Sequence, residues 1–449
     1  LIPASGLKLV TSGAALHLLG PRFRYRTELL TNADLRDGRL EGDLWVRGSG
    51  DPTIGAEPVT DDPRSVFRGW AEALRRAGIE RVAGSVVGVD SVFDEVPYGS
   101  GWSWDDLNYY YAVPASGLSF NENCVEFDLR AGRVGEPATI DWELGRTDFV
   151  EVINATRTIP ADSELVEGYD RRPGTNHFRL SSRVPAGTVD EECLAVYNPT
   201  RYFTHELRRV LVEEGIGVSG PGIDADERGA GSEGDGPYKP NDPRGLDRPR
   251  FPAGMRTIAS HRSPPLAEMV RTLNAESHNL YAEQLLKTLG VESPVPPPST
   301  VRRGTYAAGL AAVDSFLVWA GADTSAVRIV DGSGLSRKNL ITAEALVAVL
   351  RAMWTRADAP VRSAFLGSLS KPGVRGTLEY RFRNLPPGAR LRGKTGYMTG
   401  VQTLTGYLET PAGRVLAFSL LANHVTGSMD GVERVQRRFV SALASNPDP

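Results

Sequence analysis

Three short serine- and lysine-bearing motifs set the tightest constraint on how this chain folds. They are Ser5-Gly6-Leu7-Lys8 near the start, Ser277-His278-Asn279 in the middle and Lys394-Thr395-Gly396 near the end. One site built from all three needs a fold that comes back to its first helix twice. Far more chain separates Ser5 from Ser277 than one helix and a few loops require, so something large is inserted between them. Lysine is also scarce, with six lysines against forty-five arginines. In a chain that chooses arginine so consistently, Lys8 and Lys394 point to chemistry that a guanidinium cannot do. Lysine loses its proton when desolvated, and arginine effectively does not.

A serine hydroxyl is a poor nucleophile near neutral pH and needs an adjacent proton acceptor. Ser5 and Lys8 are three apart, so on a helix they share a face one turn from each other. Leu9, Val10, Ala14, Ala15, Leu16 and Leu19 follow as an apolar helical run able to bury and position them. Two decoys exist. Ser368-Leu369-Ser370-Lys371 repeats the spacing, but Pro372 and Gly373 end a helix there. Ser119-Phe120-Asn121 imitates the middle motif but leads into a strand in which Val125, Phe127 and Leu129 alternate with charged residues. Ser277 instead lies between two helical patterns, Leu266 to Leu273 and Leu280 to Leu289, where a short loop pushes side chains into a cleft. No histidine stands in a G-x-S-x-G elbow, so His278 is expected to point away from the middle of its motif. Burial of Lys8 beside a second cation, Lys394, favours its neutral form.

Composition excludes more than it identifies. A 449-residue chain with 41% hydrophobic and 24% charged residues is an ordinary globular protein with room for more than one domain. A net charge of −4 gives no basic footprint for nucleic acid. No run of eighteen apolar residues offers a membrane span. Cys124 and Cys193 fit one disulfide or two buried thiols, and no Cys/His cluster has metal spacing, so neither metal nor cofactor is expected. From about Arg36 to Val218 short strands dominate: 42–48, 82–89, 122–129, 139–142, 149–152 and 178–184. Helices are expected at 65–77 and 204–214. Residues 224–254, rich in Gly, Pro, Asp and Arg, read as an exposed linker. Helices follow at 264–289, 305–320, 343–354 and 359–369, then a hairpin at 391–409, a strand at 414–422 and a helix at 431–444. That order suggests an α+β fold, helices packed on an antiparallel sheet.

The motifs together resemble the D-alanyl-D-alanine carboxypeptidase/endopeptidase family of low-molecular-mass class C penicillin-binding proteins, of the penicillin-binding protein 4 type. Pro3-Ala4-Ser5, Gly48-Ser49-Gly50-Asp51-Pro52, Asp331-Gly332-Ser333-Gly334-Leu335-Ser336-Arg337 and Gly393 to Gly400 carry the likeness further. The resemblance implies a transpeptidase/β-lactamase-like domain at 1–35 and 250–449, split by two small β-rich domains at 36–249. It implies a serine DD-peptidase that trims D-Ala-D-Ala or cleaves D-Ala–diaminopimelate cross-links of peptidoglycan stem peptides, and that β-lactam antibiotics acylate. Residue by residue, Ser5 is then the nucleophile and Lys8 its base. Ser277 relays the proton to the leaving amine, and Asn279 holds Lys8 or the substrate amide. Lys394 and Thr395 bind the terminal carboxylate, and Gly396 lets the strand approach the ligand. The N–H groups of Ser5 and Tyr397 form the oxyanion hole, with Met398, Thr399 and Arg337 at the substrate. Ordering of the surrounding loops through ion pairs is the alternative reading of Asp331 and Arg337. The family has an export signal and a strand ahead of the nucleophile helix, whereas this chain opens at Leu1. An extracytoplasmic place, periplasm or cell envelope, is expected. Tyr397 stands where related sequences often have a smaller residue.

A second feature bears on substrate choice. Trp102-Ser103-Trp104-Asp105-Asp106 and Tyr109-Tyr110-Tyr111 crowd aromatics and carboxylates together. Aromatic faces with a carboxylate suit an ammonium group, so Asp105, Trp102 and Tyr110 are the expected seat of a side-chain amine such as that of diaminopimelate. A hinge between domains is the plainer reading. A β-lactamase or esterase of the same fold would need a group to activate a deacylating water, and no additional glutamate with an asparagine stands out for it. A non-catalytic wall-binding module would not need all three motifs intact.

Overall fold

The computed structural model describes residues 1–57, 59–227 and 251–445, so the core of the expected linker, 228–250, lies outside the described residues. In chain order the helices are α1 (Lys8–Leu19), α2 (Ser65–Arg76), α3 (Pro199–Glu213), α4 (Leu266–Ala275), α5 (Asn279–Glu292), α6 (Tyr306–Ala320), α7 (Ala343–Thr355), α8 (Ala359–Ser368) and α9 (Met429–Ser445).

α1 is buried from Lys8 to Leu16. Its sequence explains this, because a helix apolar on every side belongs in the interior. α4, α5, α6, α7 and α8 pack around it, and Leu9, Val10, Leu273, Leu285, Phe316, Leu346 and Phe365 form the shared core. Strands Arg390–Met398, Val401–Glu409 and Val415–Asn423 make an antiparallel sheet in sequence order, with Lys394 opposite Thr405. One face meets the helices through Tyr407, and the other meets α9 through Leu404, Leu408, Phe418 and Val440. The result is the expected α+β arrangement of helices on an antiparallel sheet.

A second core joins α2 and α3 to short strands, among them Leu44–Arg47, Val86–Val89 and the three-stranded sheet Val189–Ala195, Cys124–Arg130, Thr139–Trp142. Cys124 and Cys193 are joined in a disulfide across the first two of those strands, which settles the open pairing. Two expected strands are split. Residues 82–89 divide into Arg81–Val82 and Val86–Val89, and 178–184 into His177–Leu180 and Arg183–Pro185. The Ser182 hydroxyl accepts from the Gly168 N–H at 3.0 Å where the chain passes between sheets. Arg26–Thr31 and Arg256–Arg262 pair antiparallel at the edge of a five-stranded sheet that also contains Leu44–Arg47, Val86–Val89 and Gly222–Asp224. Both are largely polar, and each finds its partner far away in the chain, so no local pattern announces them.

Candidate active site

The nucleophile candidate sits on a tight turn. Ala4–Leu7 form a 3₁₀ turn that runs directly into α1 at Lys8. The turn is pinned from outside. Gly334 lies so close that a Cβ there would be 1.9 Å from the Ala4 carbonyl oxygen, and its own φ of +88° suits only glycine. Lys8 Nζ lies 2.8 Å from Ser5 Oγ, 2.5 Å from Asn279 Oδ1 and 2.9 Å from the Ser333 carbonyl oxygen. Asn279 Nδ2 donates to the Tyr111 carbonyl at 2.6 Å, which fixes the amide so that its oxygen faces the lysine. The last two partners of Lys8 can only accept. A neutral amine would therefore spend both N–H bonds on them and turn its lone pair to the Ser5 hydroxyl.

Burial supplies that neutral form. It pushes the Lys8 ammonium down to about 7, against the charges of Glu283 and Asp331, which pull it up. Of the two expected causes, burial is the principal one, and Lys394 is not among the charges that move Lys8. Lys394 is itself wholly buried and held well below the ordinary lysine range, by burial first and by Lys8 second, with Glu276 opposing. Its Nζ donates to Ser277 Oγ and to the Thr395 carbonyl, both at 2.8 Å. Two serine–lysine pairs thus stand side by side.

Ser277 occupies the turn between α4 and α5 with φ +68°, and Asn279 is the first residue of α5. A left-handed serine is strained, and such residues persist only where their surroundings over-determine them. Part of that surrounding is His278, whose Nε2 lies 2.9 Å from Glu122 Oε2. His278 is thus tied to the inserted region, although its residue also borders the cleft. Glu122 follows the decoy Ser119-Phe120-Asn121 in a run of three left-handed residues, 121–123. The decoy itself is scaffold, because Ser119 Oγ accepts from Gln284 and Asn123 in the interior. Ser368, the other decoy, is buried between the Phe365 carbonyl and Asn274.

Along the Lys-Thr-Gly strand, Gly396 comes so close to the nucleophile turn that a Cβ would lie 2.8 Å from the Pro3 carbonyl and 3.0 Å from the Gly6 nitrogen. Ser5 and Tyr397 both border the cleft that opens there. Thr395 Oγ1 donates to Thr377 Oγ1 at 2.7 Å, and Arg337 donates to the Thr399 carbonyl at 2.7 Å.

A cleft of about 960 Å³ opens in front of Ser5, bordered by Ser277, Asn279, Tyr397, Met398, Thr399 and Arg337 among others. Lys8, Lys394 and Gly396 are buried behind its surface, whereas Thr395 is half-buried with its hydroxyl on Thr377 at the cleft border. Trp102 and Tyr110 line it as expected. Asp105 does not: it is exposed and takes a hydrogen bond from its neighbour Ser103. The carboxylate on the cleft is Asp106, half-buried, raised above its usual range by burial and accepting from the Tyr111 hydroxyl at 3.0 Å. In a short 3₁₀ turn adjacent residues point in different directions, and the sequence offers no means of choosing between Asp105 and Asp106. Tyr111, of the aromatic run, also borders the cleft, as do Thr377 and Glu276, which escape sequence reasoning because no motif marks them. Glu276 is the additional glutamate near the motifs that composition hid, and it sits exposed on the rim. Asp331 proves to be a buried hub. It accepts from Trp102 Nε1, the Ser336 and Gly334 N–H groups and Asn339 Nδ2, and so ties the aromatic segment to the turn that holds Lys8.

Comparison with known proteins gives three findings. The profile of the D-Ala-D-Ala carboxypeptidase 3 (S13) family matches residues 1–231 and 244–444. The D-alanyl-D-alanine carboxypeptidase of Actinomadura sp. (strain R39) is 31% identical over 442 residues, covering 95% of this chain and 74% of that protein. The crystal structure of penicillin binding protein 4 (dacB) from Haemophilus influenzae has a TM-score of 0.78 at 23% identity, covering 99% of this chain and 92% of that one. The same relative complexed with a β-lactam gives 0.72 at 21%, over 99% and 91%.

Proposed function

The chain belongs to the D-Ala-D-Ala carboxypeptidase 3 (S13) family and is a serine-type D-Ala-D-Ala carboxypeptidase, and on that premise we propose how its cleft works. Neutral Lys8 takes the Ser5 proton as Ser5 Oγ adds to the carbonyl carbon of the penultimate D-Ala. The N–H groups of Ser5 and Tyr397 receive the developing oxyanion, a preorganised pair of donors of the kind that lowers acyl-transfer barriers. Collapse breaks the C–N bond, and the proton held by Lys8 reaches the leaving amine through Ser277. Water then attacks the ester and frees Ser5. The Thr395 and Thr377 hydroxyls hold the terminal carboxylate, with Lys394 behind them. A bound carboxylate offsets the cost of charging that buried lysine.

The observation that carries this reading is the contact of Lys8 Nζ with Ser5 Oγ, together with two obligate acceptors at Asn279 and Ser333. The same chemistry fits an endopeptidase step in which the leaving amine belongs to a diaminopimelate side chain. It also fits acylation by β-lactams, for which the β-lactam complex of the Haemophilus relative is support. Residues 1–35 with 250–449 carry the catalysis in this reading, and 36–249 are the insertion. The Cys124–Cys193 disulfide supports an oxidising, extracytoplasmic place of work. No helix among the described residues is long and apolar enough to cross a membrane.

Intact-mass measurement after incubation with benzylpenicillin tests the assignment. One adduct is expected on the parent and on Ser368→Ala, and none on Ser5→Ala. An adduct persisting on Ser5→Ala would exclude Ser5 as nucleophile.

A further inference from the structure

A second groove, of about 990 Å³, opens beside the catalytic cleft and shares Tyr110 and Tyr111 with it as a common wall. Its other walls are acidic and aromatic. Tyr109 stacks on Tyr111 with ring centroids 5.3 Å apart and packs on Tyr169 at 4.7 Å. At one end Arg130 neutralises Asp128 and Asp141, at 2.7 and 3.1 Å. Glu126, Glu143, Glu167 and Glu192 also line the groove and have no such partner among the described residues.

Glu192 is the most telling of them. It is only 8% exposed, and its Oε1 accepts from no donor among the described residues. Its neighbours are other acids: burial first, then Asp190 and Glu167, push it up to about 8. Glu126 is pushed up to about 8 in the same way, by burial and then Glu143. Glu126 shares a hydrogen bond with Glu143 and receives one from Asn121, and Glu192 shares one with Asp190, but neither has a counter-charge and Glu192 Oε1 has no partner among the described residues. Buried acids so placed are costly, and a cation among them supplies the missing charge. Aromatic faces beside the carboxyls favour an ammonium further. A compact metal ion fits less well. Among the described residues the ligating groups close enough to share one ion are Asp90, Asp224 and Asp226, and none of these lines the groove.

We propose that this groove extends the substrate site and binds ammonium groups carried on the length of peptide that lies beyond the catalytic cleft. The enzyme would then favour extended or cross-linked amine-bearing peptides over short ones. This rests on reading the Ser5 cleft as the peptidase site. A peptide with its D-Ala-D-Ala end at Ser5 runs past Tyr110 into the acidic groove.

The test uses the full chain and two measurements. In calorimetric titration at low salt, an amidated tetra-lysine peptide should bind the parent at least tenfold more tightly than the same peptide fully acetylated. Glu126→Gln/Glu192→Gln should lose at least tenfold in affinity for it. Glu143→Gln/Glu167→Gln, both on the exposed rim, should weaken it several-fold, which guards against a folding defect in the buried pair. In the second measurement, both double variants should lose kcat/KM on a cross-linked stem peptide with free amines relative to N-acetyl-D-Ala-D-Ala. The inference is overturned if acetylated and free peptides bind alike, if both double variants bind as the parent does, or if calcium displaces the peptide stoichiometrically. Failure of the parent to be acylated by benzylpenicillin or to cleave N-acetyl-D-Ala-D-Ala would instead overturn the proposed function and leave the titration standing.

Discussion

At the scale of the residue, the proposed mechanism makes the rate depend on protonation of Lys8. Its amine is held near 7 when buried, so the base is present above that pH and lost below it. The second-order rate of acylation by benzylpenicillin should therefore rise through about pH 7 and level off above it, as stopped-flow traces across pH 5–9 would show. Lys8→Arg keeps a cation but removes the base, because the guanidinium keeps its proton, and should slow acylation by roughly 10²–10⁴-fold at pH 8. An unchanged rate in that variant would contradict the role of Lys8. Asp106 is the second residue whose identity matters. With Asp106 on the cleft and Asp105 off it, Asp106→Asn should lower kcat/KM for a peptide with a free side-chain amine about ten- to hundredfold more than for its N-acetylated form. Asp105→Asn should discriminate between the two peptides as the parent does.

At the scale of the element, the turn between α4 and α5 presents two functional groups at once, and something has to hold it left-handed at Ser277. The contact of His278 with Glu122, both largely buried, ties that turn to residues 121–123, and the proposed mechanism makes it a support of the turn. Loss of one partner from such a pair costs about 1.5–3 kcal/mol. Glu122→Gln should lower the melting temperature and also slow acylation about tenfold, with little change in KM for a peptide substrate. A stability loss with an unaltered rate would mean that the turn holds without it. This contact was not legible in the sequence. His278 was expected to point away, but its partner lies more than one domain's length earlier in the chain. The helices were legible in outline: α6, α7 and α8 were expected within a residue of their observed ends, where the structure shows Thr305, Thr342 and Asp358 capping them by accepting from Ala308, Ala345 and Val361. Strands Arg26–Thr31 and Arg256–Arg262 were not, since each is too polar to show a face before it is paired.

At the scale of the whole molecule, the region proposed as an insertion has its own core and also borders the candidate active site. Tyr111 orients Asn279 through its carbonyl, and Trp102 is held by Asp331. Weakening the insertion should therefore reach the catalytic cleft. Cys124→Ser/Cys193→Ser removes the cross-link between two strands of the insertion and should cost about 2–4 kcal/mol. Calorimetry should show the insertion melting earlier than the helical core, with acylation by benzylpenicillin lost over that first transition. A single transition with acylation lost only at its end would mean that the two cores unfold as one.

The sequence by itself carried the three motifs, the family they resemble and the α+β class. These follow from residue chemistry and from periodicity, both local properties that survive without a partner. Tertiary structure decided the rest. It buried Lys8 among acceptors from residues 279 and 333, and burial pulls its amine down to about 7. It put Lys394 behind the cleft rather than on it, chose Asp106 over Asp105 and gathered carboxyls from several strands into one groove. Each of these depends on burial and on the distance between residues remote in the chain. Burial fixes the cost of a charge, distance fixes what can offset it, and neither is written in any short stretch of sequence.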